Sequence, residues 1–164
     1  MTAAPERDLA VPAITQYDVM SLLGPSVGGE PVVVRLRYAA DDPVMVTLSL
    51  DSVVSDAPHG SWTFERRLLE VGADEPVEAG QVRVSPVWHP QGGTAVLLEL
   101  GVGALPRGGR AGDPTGTVVA VVAELPSVRR FVDRIGRAVP AGTEWERLSR
   151  LMGLSDSSCF TTVE

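Results

Sequence analysis

Residues 62–86 read W-T-F-E-R-R-L-L-E-V-G-A-D-E-P-V-E-A-G-Q-V-R-V-S-P, from Trp62 to Pro86, and this stretch decides the fold. Trp62 and Phe64 alternate at period two, as one face of a strand requires. Leu68 and Leu69 follow among good helix formers until Gly72 stops the helix, and Val82 and Val84 restart the alternation. The segment therefore predicts strand, short helix and strand, with the strands over Gly60 to Glu65 and Gly80 to Trp88.

Strand signals extend to both sides. Val32 to Tyr38 is Val-rich, with Arg35 and Arg37 alternating outward. Asp41-Asp42-Pro43 turns the chain, and Val44 to Val53 alternates again through Val46, Leu48 and Leu50, which together predict a hairpin. Thr94 to Leu100 and Thr117 to Glu124 predict two more strands around a loop rich in Gly and Pro. Ile14 to Leu23 reads as a first strand, although Ile14, Gln16 and Asp18 break its pattern and helical spacing fits nearly as well.

The end of the chain is helical. Pro126 suits a first helical position; Val128, Phe131, Val132 and Ile135 make one apolar stripe, with Arg129, Arg130, Arg134 and Arg137 opposite. That arginine face reads first as the wet side of an amphipathic helix and second as a binding face. Pro140 ends the helix. Thr143-Glu144-Trp145-Glu146 then matches a capping box opening a second helix, lined on one side by Trp145, Leu148, Leu151 and Met152. So short a helix is marginal alone, so its stripe must dock: on its own subunit in the plainest reading, otherwise on a neighbour or a partner. Trp62 reads as core, whereas Trp88 and Trp145 stand near element ends, where a Trp is a common interface anchor. Trp88, Trp145, Leu148, Leu151 and Met152 are therefore the candidate interface residues.

At 164 residues the chain fits one domain. All 14 basic residues are Arg, Lys and Asn are absent, and Ile occurs only at Ile14 and Ile135, the usage of a GC-rich genome. A net charge of -7 repels nucleic-acid phosphate and anionic lipid at long range. Cys159 is the single cysteine, which excludes a disulfide or a cysteine-rich zinc site within one chain and fits a reducing cytoplasm. Glu6 and Asp8 fall where an export signal would be apolar, and no run approaches the roughly 20 apolar residues that span a bilayer, so no membrane insertion is expected.

No catalytic constellation emerges. Gly24-Pro25-Ser26-Val27-Gly28 has the G-x-S-x-G spacing of a nucleophile elbow, but it leads through Pro31 into a strand instead of a helix. The stretch Gly103 to Arg110 lacks the Lys and the hydroxyl of a phosphate loop, and Asp113 to Thr117 reads as a turn. His59 and His89 each neighbour a Pro, with no second ligand at metal spacing, and Asp41-Asp42 and Asp74-Glu75 lie near turns as ordinary solvated carboxylates. No cofactor and no metal is expected.

The stretch over 62–86 resembles the SsgA-like sporulation and cell-division proteins of actinomycetes. In that family a Trp-x-Phe-x-Arg segment leads into Leu-Leu, Gly, Pro and Gly-x-Val-x-Val-x-Pro, as do Trp62, Phe64, Arg66, Leu68, Leu69, Gly72, Pro76, Gly80, Val82, Val84 and Pro86. Leu36-Arg37-Tyr38 with Asp42-Pro43 upstream, and Phe131, Arg134, Val139, Pro140, Gly142, Thr143 and Glu144 downstream, resemble two further family segments. The likeness runs over roughly residues 32 to 152. Departures are the long N-terminal segment, the glycine-rich stretch from Gly101 to Gly116, and Gln81 where the family usually has Asp.

The resemblance implies an α+β fold: a β-rich single domain of antiparallel sheets, with a short helix after the fourth strand and two C-terminal helices. Family members form a bell-shaped trimer resembling the Whirly single-stranded nucleic-acid-binding proteins. The expected domain is 13–152, between a flexible N-terminus (1–12) and a flexible C-terminal tail (153–164). The implied function is non-enzymatic: a regulator or scaffold of sporulation-specific division, acting in septum-site selection and recruiting the tubulin-like GTPase FtsZ or another SsgA-like protein, in the cytoplasm at the division septum. The alternative is a single-stranded nucleic-acid-binding module, which the sparse aromatics and acidic charge oppose.

Overall fold

A computed structural model describes residues 13–23, 29–50, 60–89, 92–102 and 117–153. Eight strands form one antiparallel sheet: β1 (Ala13–Leu23), β2 (Glu30–Ala39), β3 (Asp42–Leu50), β4 (Gly60–Glu65), β5 (Val77–Ala79), β6 (Val82–Trp88), β7 (Thr94–Val102) and β8 (Thr117–Glu124). Their order is β4-β3-β2-β1-β8-β7-β6-β5, two four-stranded meanders joined where Ser21 to Leu23 of β1 pair with Ala120 to Val122 of β8. Helix α1 (Arg67–Gly72) follows the first meander, α2 (Leu125–Ala138) follows the second, and α3 (Glu144–Leu151) comes last.

The alternation read from the sequence is the alternation observed. Val34, Leu36 and Tyr38 on β2, Val46 and Leu48 on β3, Phe64 on β4, Val84 on β6 and Leu98 and Leu100 on β7 point into one continuous core with Leu68, Leu69, Val128, Phe131 and Ile135 from the helices. The sheet coils around that core. Trp62, on the edge strand β4, donates its indole N–H to the Gly101 carbonyl of β7 at 2.6 Å, linking the two meanders across the fold. Helix α1 packs on β5 and β6 at Gly72, where an added Cβ would lie 2.4 Å from Val84 Cγ1; the helix sits this close only because that position has no side chain.

Two readings need correction, and the reading of the first segment as a strand holds. Gly80 does not start a strand: with φ of +61° it opens a two-residue turn with Gln81, between Ala79 and Val82, and so creates β5, which is too short to show a period. The ambiguous first segment is a strand throughout. Its pattern breaks because Gln16 and Asp18 share the inward face with Met20 and serve α2: Gln16 Nε2 donates to Asp18 Oδ2 at 2.8 Å and to the Ser127 carbonyl at 3.1 Å, and Ser127 Oγ donates to Asp18. A carboxylate at the start of α2 is also favoured by the helix dipole. The second correction is at Thr143, which caps no backbone N–H of α3; its hydroxyl donates to the Pro140 carbonyl at 2.7 Å, and Glu146 pairs with Arg150, so there is no capping box.

The segments 1–12, 24–28, 51–59, 90–91, 103–116 and 154–164, which hold Ser26, His59, most of the glycine-rich stretch and Cys159, lie outside the described residues. Among those described, no helix is long and apolar enough to cross a membrane.

Candidate functional site: a buried arginine and an exposed terminal helix

Arg66 continues the inward parity of Trp62 and Phe64, and at 2% exposure it is the largest fully buried side chain among the described residues. Its backbone N–H bonds the Val44 carbonyl at 2.8 Å, fixing it between β4 and α1. From there the guanidinium reaches across the molecule. Nη1 donates to the Val139 carbonyl at 2.7 Å, Nη2 lies 2.5 Å from Glu144 Oε1, and Nε lies 3.2 Å from Glu70 Oε1. Both carboxylates are in ion-pair range of the guanidinium. A charge removed from water costs several kcal/mol unless paired, and two half-buried carboxylates plus a carbonyl compensate it here.

Tyr38 completes the cluster. Its hydroxyl donates to the Pro43 carbonyl at 3.3 Å, and burial raises its pKa above the ordinary 10.0, partly offset by Arg66 beside it. Five of these residues belong to the three motif segments read from the sequence: Tyr38 and Pro43 from the first, Arg66 from the second, Val139 and Glu144 from the third. The motif arginine ties the end of the first meander to the start of the last helix.

Helix α3 is tied to the body at Glu144 by this cluster and at Arg147 by a bond to the β2–β3 turn. Gly142, at φ of +86°, makes the bend after Pro140. Glu144 then meets Arg66, and Arg147 Nε donates to the Ala40 carbonyl at 2.9 Å, setting α3 against β3. No residue of α3 is buried. The apolar stripe docks on its own subunit only in part: Glu144 and Arg147 turn toward the body and Leu148 is half-buried, while Trp145 is 70%, Leu151 48% and Met152 56% exposed. A groove of about 400 Å³ runs beside Trp145 between α1 and the start of α3, lined also by Arg67, Glu70, Val71 and Gly142.

The structure does not bring Trp88 to this cluster. It is 76% exposed at the end of β6, beside the β6–β7 turn that borders the start of α2. That turn also accounts for His89, whose backbone N–H bonds Gly93 and whose carbonyl accepts from Gly92. Among the described residues no group of three His, Cys, Asp or Glu side chains is placed to hold a metal ion. The central residue of the cluster, Arg66, was not legible as a site from composition or spacing; its signal was a charged residue on the inward parity of a strand.

The sequence model of the family described as "Streptomyces sporulation and cell division protein, SsgA" matches residues 32–144, the span from the start of the Val-rich β2 to the Glu144 that closes on Arg66. The chain belongs to the SsgA family. SsgA-family relatives include the sporulation-specific cell division protein SsgB of Kineococcus radiotolerans, 32% identical over 147 residues that cover 89% of this chain and 78% of the relative. SsgB of Salinispora tropica is 33% identical over 129 residues, 79% of this chain and 81% of that one. The crystal structure of an SsgA-like sporulation-specific cell division protein from Thermobifida fusca superposes with a TM-score of 0.71 at 26% identity, covering 88% of this chain and 95% of that one. A solved structure from work on Streptomyces coelicolor, in which mutations in SsgB correlate to longitudinal cell division during sporulation, gives 0.68 at 26% identity over 84% of this chain and 97% of the other. The antiparallel α+β fold expected of an SsgA-like chain is the fold observed, and the family places the protein in sporulation and cell division.

Proposed function

We propose that this SsgA-family protein is a non-enzymatic scaffold of sporulation-specific division, which helps select the septum site and recruits FtsZ, or another SsgA-like protein, to the septum. The single observation that supports this reading most is α3: an eight-residue helix with no buried residue, presented by the family's own Arg66 and Glu144 with Trp145 facing outward. A helix this short is unstable without docking, and an exposed Trp beside a groove is the composition of an interface anchor. The domain is taken as 13–152, and a homo-oligomer, in the family's case a trimer, is the assembly proposed. Trp145, Leu148, Leu151 and Met152 form one contact surface in this reading, and Trp88 a second. Capture from sporulating cells on the immobilised full chain tests it: FtsZ or a second family member should be recovered, and recovery of neither contradicts it. Light scattering should give a trimer mass, and a monomer across micromolar concentrations removes the oligomer.

One observation favours a single-stranded nucleic-acid module as the second reading. On the outer face of the first meander Tyr17 lies opposite Arg35 and Thr15 opposite Arg37. One aromatic on a chain of net charge -7 is a poor stacking platform, and binding to a single-stranded oligonucleotide that weakens steeply with salt is what this reading requires.

A further inference from the structure

The arginines of this acidic protein are not evenly compensated. Arg66 has two carboxylates, Arg83 faces Glu99, Arg129 pairs with Asp74 at 2.9 Å and Arg150 with Glu146. Among the described residues Arg37, Arg67 and Arg147 also have no carboxylate in ion-pair range, but only α2 carries three such arginines on one element, Arg130, Arg134 and Arg137. All three are exposed, and at 100° per residue they fall within about 60° of arc on one flank of the helix. The opposite face is locked into the core by Val128, Phe131 and Ile135, so the stripe is carried on a rigid element.

A face serving only solvation would intersperse acids at i+3 and i+4, as α3 does with Glu146 and Arg150, because like charges at that spacing repel. Here the one acid at that spacing is Asp133, three residues after Arg130 and four before Arg137, and it is outside ion-pair range of all three arginines. We propose that the Arg130–Arg134–Arg137 flank of α2 docks an acidic polypeptide segment of a partner. The positive flank on a negative chain supplies the charge complementarity, and the spacing supplies the register. Arg130 and Arg134 are about 6 Å apart along the axis, close to the 6 to 7 Å between alternate side chains of an extended peptide. The overall charge of -7 opposes a long polyanion such as nucleic acid more than a short peptide with a few carboxylates. The proposal concerns α2 and stands apart from the α3 surface, so its failure leaves the reading of Trp145 untouched.

The test is fluorescence anisotropy of a fluorescein-labelled octapeptide alternating Glu and Gly, titrated with the full chain at low and high salt. The wild type should bind saturably and more weakly as salt rises. Arg130→Gln/Arg134→Gln/Arg137→Gln should lose affinity about tenfold, from three exposed ion pairs. Arg83→Gln should change it little, and all variants should keep the wild-type melting curve. Four results each overturn the proposal: no saturable binding by the wild type, binding unaffected by the triple substitution, tighter capture of a single-stranded oligonucleotide through the same arginines, or a triple variant whose oligomer mass falls, which would make the flank a self-interface.

Discussion

Replacing Arg66 by Met keeps most of the buried aliphatic stem and removes the guanidinium. Glu144 and Glu70 then lose their partner at 17% and 24% side-chain exposure, and the Val139 carbonyl loses its 2.7 Å donor. Breaking a fully buried ion pair costs about 3 to 5 kcal/mol, and an orphaned buried carbonyl about 1 to 3. The carboxylates are close enough to the surface to regain water, so the cost falls just below the summed range of about 4 to 8, at about 3 to 4 kcal/mol. For a chain of this size each kcal/mol lowers Tm by about 2 to 4 °C, giving a fall of roughly 6 to 16 °C by circular dichroism. Glu144→Gln, which keeps an acceptor and loses the charge, should cost about 1 to 2 kcal/mol. In the double variant the two losses should be strongly non-additive, with coupling above about 1 kcal/mol, and α3 should become cleavable near Gly142. A Tm drop under about 2 °C for Arg66→Met, or strict additivity with Glu144→Gln, would refute the tie between Arg66 and α3.

Three further outcomes are expected. Tyr38 holds its proton more tightly folded than unfolded, so its contribution is complete below pH about 10 and is lost as pH rises through the higher folded value; Tyr38→Phe should flatten the alkaline decline in stability, and an unchanged alkaline limb in denaturant melts would contradict this. Gly72→Ala places a methyl 2.4 Å from Val84 Cγ1 and should cost about 1 to 3 kcal/mol by overpacking, which urea unfolding measures; Gly72→Ala with Val84→Ala should recover part of it. Trp62→Phe keeps the ring but orphans the Gly101 carbonyl, costing about 1 to 3 kcal/mol, whereas Trp62→Ala also opens a cavity and should cost about 3 to 5.

The fold was legible wherever an element was long enough to show its period. Trp62 and Phe64, then Leu68 and Leu69, announce β4 and α1, and Val128, Phe131 and Ile135 announce α2. What escaped is either too short for a period or made by distant partners. Val77 to Ala79 is three residues and is recognisable only through the turn at Gly80. Gln16 and Asp18 looked like errors in a strand because their partner, Ser127, lies more than a hundred residues away. The same distance hid the site. Thr143 and Glu146 fit a local capping rule, but Glu144 is committed to Arg66 and Thr143 to Pro140, so a tertiary ion pair displaced the local cap. The apolar stripe of α3 was visible in sequence, yet only the direction of Glu144 and Arg147 shows that most of the stripe is turned away from the body.

The central claim is that α3 is presented to a partner and is not part of its own subunit's core. The direct measurement is the Trp145→Ala/Leu148→Ala variant, followed by circular dichroism, light scattering and capture of FtsZ or a family member from sporulating cells. Trp145 is mostly exposed and Leu148 half-buried, so the subunit should stay folded with a melting curve close to wild type. Loss of a Trp anchor worth about 2 kcal/mol or more should weaken assembly or capture roughly thirtyfold. A variant that unfolds, or one that keeps both its oligomer mass and its partner, would contradict the account.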